Sequence, residues 1–229
     1  MMRKQAGFTM IEIAIVLVII GLLLGGILKG QELITSARVR NLISQQDGVK
    51  AAYFGFLDRF RDLPGDYDQA TANIANISTT ACTGNGDGNG RIETAGSATP
   101  NENILAWEHL SKSGFLNGSY TCAAAESNAT TPTNAFAVRL QLVWDNVFDP
   151  PAGTARHNLK SGSQIPSDLL AEVDRKIDDG SATGGTFRFS AYDGGAGAPV
   201  GSGTCYSAAA GNPWSATTPV ANCGGATLF

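Results

Sequence analysis

The sequence predicts an α+β chain, with one long N-terminal helix followed by a globular region of short helices and strands. Three observations predict it. Residues Ile13–Leu28 form a 16-residue run without a charge, IAIVLVIIGLLLGGIL, and no proline occurs from Gln31 to Asp62. Further on, apolar residues recur at spacings of three and four in Glu102–Ser113 and Pro166–Ile177, the period of a helix. They alternate with polar residues in Ala135–Trp144 and Thr186–Tyr192, the period of a strand.

Composition bounds what such a chain can be. Of 229 residues, 43% are hydrophobic and only 16% are charged, so a core can form and full disorder is excluded. The net charge is −4, with 16 basic residues against 20 acidic ones and no basic block. That excludes a nucleic-acid binder. A single long apolar stretch also excludes a protein of many membrane spans.

Taken in order, the first element carries most of the information. At about 1.5 Å per residue, Ile13–Leu28 covers roughly 24 Å, short of a bilayer core of about 30 Å. Extension back to Phe8 supplies the missing length but takes in Glu12. An ionised side chain costs about 2.5–3.5 kcal/mol at the centre of a spanning helix and less near its end. Glu12 therefore needs a partner or a function. Arg3 and Lys4 precede the run, which keeps the N-terminus cytoplasmic and sends the bulk across. An ordinary secretory signal ends in an A-x-A-like site, whereas Lys29-Gly30-Gln31-Glu32 follows here. A plain signal anchor explains the length and leaves Glu12 without a role.

The helix is expected to run on to Asp62. Leu33, Ile34, Ala37, Leu42, Ile43, Val49, Tyr53, Phe56, Leu57 and Phe60 keep to one face, and Leu63-Pro64-Gly65-Asp66 stops it. Asn101 stands where it can cap the helix Glu102–Ser113, with Ile104, Leu105, Trp107 and Leu110 inward and Gly114 as the stop. Ala135–Trp144 reads as a half-buried strand, Pro166–Ile177 as a short helix, Asp178-Asp179-Gly180 as a turn and Thr186–Tyr192 as a second strand. The tail from Asp193 to Phe229 is rich in Gly, Ala and Thr and reads as loop.

Gly7-Phe8-Thr9-Met10-Ile11-Glu12, after a short basic leader and before an apolar run, resembles the prepilin processing signal. Type IV pilins and the pseudopilins of type II secretion share that signal. The resemblance implies cleavage by prepilin peptidase between Gly7 and Phe8 and N-methylation of Phe8. It implies a pilin-like fold, in which a helix with a transmembrane first half packs on a C-terminal globular domain with an antiparallel sheet and a loop-rich C-terminus. The chain then divides into a cleaved leader (1–7), a transmembrane and filament-core helix (8–28), an amphipathic continuation (29–63) and a globular periplasmic or extracellular domain (64–229). Glu12 is expected to face the free amine of a neighbouring subunit's Phe8, a buried ion pair that fixes axial register more than it adds stability. Leu63-Pro64-Gly65-Asp66, Asn85-Gly86-Asp87-Gly88-Asn89-Gly90, Ala106-Trp107-Glu108-His109-Leu110 with Gly114-Phe115-Leu116, and Val173–Gly180 also resemble one branch of prepilin-like proteins.

The function implied is that of a structural filament subunit of a type IV pilus or a type II secretion pseudopilus. Its partners would be copies of itself, other pilin-like subunits, prepilin peptidase, an inner-membrane assembly platform and membrane lipid. It would cross the inner membrane once and then enter a periplasmic or extracellular filament. The alternative is a membrane-anchored, calcium-dependent binding domain that does not polymerise.

Residues with candidate chemistry are few. Cys82, Cys122, Cys205 and Cys223 all follow the span, on the side expected to be oxidising, where disulfides form. Three pairings are open; Cys82–Cys122 with Cys205–Cys223 closes the shortest loops, and the resemblance to pilins, which often close a C-terminal loop, favours the second pair. No CxxC occurs and only His109 and His157 are present, which argues against zinc. Asn85, Asp87, Asn89 and Glu93 resemble the start of a calcium loop, with oxygen side chains at alternate positions and Gly90 sixth, although Gly96 stands where the twelfth-position acid belongs. Calcium is thus a possible ligand, and no other cofactor is expected. G-x-S-x-G, H-E-x-x-H and P-loop motifs are lacking. Glu108 and His109 diverge as neighbours on a helix, so no enzyme is expected.

Overall fold

A computed structural model describes residues 9–94, 101–149 and 153–229. Two compact units result, divided between Arg38 and Val39. One helix, α1 (Met10–Phe60), supplies the described helix of the first unit and enters the second. The elements that follow are α2 (Ala70–Asn73), α3 (Glu102–Lys112), β1 (Gln141–Asp145), β2 (Arg156–Lys160), α4 (Ser167–Ile177), β3 (Phe187–Phe189) and β4 (Gly225–Leu228).

In the first unit the apolar run is bare. Ile20 is the least exposed of its large apolar residues and is still 46% exposed. This segment is long and apolar enough to cross a membrane.

The second unit is a pilin-like α+β arrangement. All four strands are antiparallel, in the order β1-β2-β4-β3. Val49, Tyr53 and Phe56 of α1 pack with Trp107 and Leu110 of α3 and with Leu142 and Leu159 of the sheet. A second part of the core joins Val39 and Leu42 to Leu169, Leu170 and Val173 of α4 and to Phe187 and Phe189 of β3. Side chains of α1 therefore bury themselves at the three-and-four spacing of a helix face. On the other face of the sheet, buried Lys160 pairs with Asp145, and Asn158 donates to the same carboxylate at 2.9 Å.

The boundaries correct several expectations. α1 ends at Phe60, because Arg61 takes φ 60° and closes the last turn with its N–H on the Leu57 carbonyl, 2.9 Å away. Of the expected strand 135–144 only residues 141–144 are in the ladder, which runs one residue further, to Asp145. Upstream of it, the Asn134 side-chain amide oxygen Oδ1 accepts the N–H groups of Phe136 and Val138 and Ala137 stands at φ 61°, a turn built by an asparagine side chain. The second expected strand, 186–192, shortens to Phe187–Phe189. The tail read as loop contains β4, and β2 is an added strand. Asn101 does occupy the N-cap position of α3, but its side chain makes no capping bond and donates instead to the Ala124 carbonyl at 3.0 Å.

Candidate functional site

Gly7 and Phe8 lie outside the described residues. Immediately after them, Thr9 and Glu12 build the start of α1. Glu12 Oε2 accepts the Thr9 N–H and the Thr9 hydroxyl, both at 2.8 Å, while the Glu12 N–H donates to Thr9 Oγ1 at 3.3 Å. This is a capping box, in which a Thr and a Glu three residues on satisfy donors that the helix leaves free. Thr9-Met10-Ile11-Glu12 carries the T-x-x-E pattern, the sequence signal for this local role, which is distinct from the expected pairing of Glu12 between subunits.

A second site forms where the chain leaves α1. Gly65 stands at φ 92°, and a Cβ there would lie 2.4 Å from the Glu102 carbonyl oxygen. At Gly86 a Cβ would lie 2.2 Å from the backbone carbon of Asp66. Only glycine permits both approaches. The turn 63–66, the loop 84–93 and the start of α3 are thereby pressed together. Asp66 Oδ1 and Oδ2 accept the N–H groups of Asn89 and Gly90 at 3.0 and 2.8 Å. Glu102 Oε1 and Oε2 accept those of Asp87 and Glu93 at 3.1 and 3.0 Å.

The result is an oxygen site that adjoining sequence positions did not reveal. Asp66, Asp87 and Glu102 each offer a carboxylate oxygen, and these lie within 4.8 Å of one another. Asp66 and Glu102 are fully buried. Burial pushes the Asp66 carboxyl up to about 6 and that of Glu102 up to about 7, against the pull of the backbone N–H groups on each. Among the described residues no lysine or arginine forms an ion pair with any of the three. Of the residues expected to bind calcium, Asp87 is in this group. Asn85 Oδ1 instead accepts the Thr71 N–H at 2.8 Å, and the Asn89 amide donates to Asp87 and Glu93, both at 3.1 Å. The sequence signal that would have added Asp66 and Glu102 is the pair of glycines, whose close approaches need the fold to be seen.

The helix α3 pins this loop region through its own polar side chains. His109 Nδ1 accepts the Gly65 N–H at 3.0 Å, which leaves Nε2 to donate to the Gly84 carbonyl, also at 3.0 Å. Burial lowers the His109 pKa to about 4. Glu108 accepts the N–H groups of Ser78 and Cys122, both at 2.8 Å. Beside them the disulfide Cys82–Cys122 ties the loop to the segment after α3, and Cys205–Cys223 closes the C-terminal loop. Glu108 and His109 thus stand in for missing backbone partners and do not meet as a dyad.

Comparison with known proteins bears on the N-terminus. Residues 2–28 match the family model described as the prokaryotic N-terminal methylation motif, which is the type IV prepilin-like signal. No curated protein and no solved structure matches the chain.

Proposed function

We propose that the chain is a structural subunit of a type IV pilus or of a type II secretion pseudopilus. The observation that carries this reading is the methylation-motif match at residues 2–28, where the described large apolar side chains, Met10 to Leu28, are all exposed. In this reading prepilin peptidase cuts between Gly7 and Phe8, and Phe8 is N-methylated. The inner membrane stores the subunit through residues 8–28, with the N-terminus cytoplasmic. An assembly platform then packs it against copies of itself and other pilin-like subunits. Glu12 exchanges Thr9 for the amine of a neighbour's Phe8, which sets the register of the fibre. The test is Glu12→Val, read as membrane level against sheared-fibre yield. Membrane level should hold, because the insertion penalty falls. Fibre yield should drop about tenfold or more, the effect of losing about 1.4 kcal/mol per contact. An unchanged yield would overturn the reading.

The oxygen site favours a second property, which belongs equally to the non-polymerising anchor. Asp66, Asp87 and Glu102 form an all-oxygen donor set of the kind that suits calcium, a hard cation of six to eight oxygen ligands. Asp66 and Glu102 each spend one lone pair per oxygen on a backbone N–H and keep others free. Calcium bound there would supply the positive charge that these carboxylates lack. Titration with calcium in place of chelator should raise the unfolding temperature, by the equivalent of about 2.7 kcal/mol when calcium is 100-fold above its Kd. No shift would remove calcium from the reading. Dependence of fibre yield on Glu12 separates filament subunit from anchor.

A further inference from the structure

The fourteen asparagines of the chain sort into two groups. Ten hold their side-chain amide in a hydrogen bond. The other four, Asn41, Asn76, Asn117 and Asn128, are exposed and make no side-chain hydrogen bond among the described residues. Three of these four, and none of the ten, begin an Asn-x-Ser/Thr triplet: Asn76-Ile77-Ser78, Asn117-Gly118-Ser119 and Asn128-Ala129-Thr130. The fourth, Asn41, lies within α1 and is followed by Leu42-Ile43. Motif and free amide therefore coincide at all three places, each in a turn or bend. Asn-x-Ser/Thr is the acceptor pattern for N-linked glycan on the surface loops of exported chains.

Asn117 is the most open of the three. Asn117, Gly118 and Ser119 are all exposed, and no hydrogen bond occupies the Ser119 hydroxyl. By contrast Thr130 is 2% exposed, and its hydroxyl both donates to the Ser127 carbonyl at 3.0 Å and accepts the Ser127 N–H at 2.7 Å. Gly118 stands at φ 123°, and a Cβ there would meet the Tyr120 ring at 2.9 Å, so the bend needs glycine as its middle residue. Phe115 and Leu116 on one side and Tyr120 on the other pack against the core. The triplet is held by both ends and turned outward.

We propose that Asn117 carries an N-linked glycan, transferred from a polyprenyl diphosphate carrier by a membrane oligosaccharyltransferase. The Asn117 amide nitrogen bonds to the anomeric carbon of the sugar, and the bond from that carbon to the diphosphate oxygen breaks. Polyprenyl diphosphate leaves with the electron pair, and the amide proton passes to a base of the transferase. Ser119 positions the amide through its hydroxyl. This modification rests on the reading that residues after the span are exported.

The test uses full-length protein purified from its own cells and digested for mass spectrometry. The peptide containing Asn117 should carry a sugar mass, and that mass should be lost entirely in Asn117→Gln and in Ser119→Ala. Ser119→Ala keeps the asparagine, so an addition that survives it is not sequon-directed and overturns the proposal. A bare Asn117, or one converted only to aspartate at the Asn-Gly bond, overturns it as well. The N-terminal peptide in the same digest reports export and processing separately. A chain that starts at methylated Phe8 with a bare Asn117 refutes the glycan alone, whereas a chain that keeps Met1 refutes the filament reading.

Discussion

At Gly65 and Gly86 the room for one methyl group decides whether the oxygen site exists. Gly86→Ala would drive its Cβ into the Asp66 backbone, and backbone cannot swing aside as a side chain does. Overpacking of this kind costs about 1–3 kcal/mol, so chemical denaturation should show a loss in that range together with loss of any calcium effect. Protons act on the same residues. The Asp66 and Glu102 carboxyls are pushed up to about 6 and about 7, above the ordinary carboxylate range of about 4. The folded chain therefore takes up their protons before the unfolded chain does, and stability rises as pH falls through this window. Asp174, pushed up to about 6 by burial, adds to the rise. His109 and His157, lowered to about 4 by burial, pull the other way once the unfolded histidines protonate below about pH 6.5. In chelator, the unfolding temperature should climb as pH falls from about 8 to about 6, and Glu102→Gln should flatten the upper part of that climb. Calcium should reverse the trend, because its ligands must be deprotonated. A fall in chelator across the same window would refute the assignment.

Among the elements, α1 was the most legible and the strands the least. A proline-free helix with an uncharged run and an aromatic face declares itself over 51 residues, and Phe60 falls two residues short of the expected Asp62. Both α3 and α4 repeat every three to four residues and lie within one residue of the bounds expected. Strands of three to five residues carry too few alternations to stand out. β4 reads as Gly-Ala-Thr-Leu, and its place between β2 and β3 is set by long-range pairing that no local pattern records. The acidic cluster divides in the same way: Asp87 lies in the expected loop, whereas Asp66 and Glu102 are brought beside it only by the fold. Packing at the crossing of α1 and α3 gives a test. Phe56 is fully buried and stacks on His109 with ring centres 6.0 Å apart and an interplanar angle of 12°. Phe56→Ala should cost about 3–5 kcal/mol in denaturant unfolding. A loss below about 1 kcal/mol, the size expected of a volume-conserving swap, would mean that this face of α1 is not core.

For the molecule as a whole, the exposed apolar run and the packed core reside in different stretches of chain. The bare apolar run ends at Leu28, and the described strands and both disulfides follow Val39. The last residues close the sheet. Thr227 of β4 donates to buried Gln46 of α1 and pairs with Leu159 on one side and Phe187 on the other. The Ile165 and Cys223 backbones exchange both N–H bonds, at 3.0 and 2.9 Å, beside the Cys205–Cys223 disulfide that fixes the approach to β4. Removing one disulfide constrains the unfolded chain less and costs about 3–4 kcal/mol in the chain-entropy model. Deleting Gly225–Phe229 does more, since it leaves β2 and β3 without the strand between them and strips Gln46 of its partner inside the core. If residues 8–28 anchor the chain as proposed, the truncated chain should still enter the membrane at an unchanged level. Its domain, in detergent-solubilised protein, should be digested by a protease under conditions that leave the full chain whole. A truncated domain as resistant as the intact one would show that β4 is an ornament of the sheet, and the order β1-β2-β4-β3 would have to be abandoned.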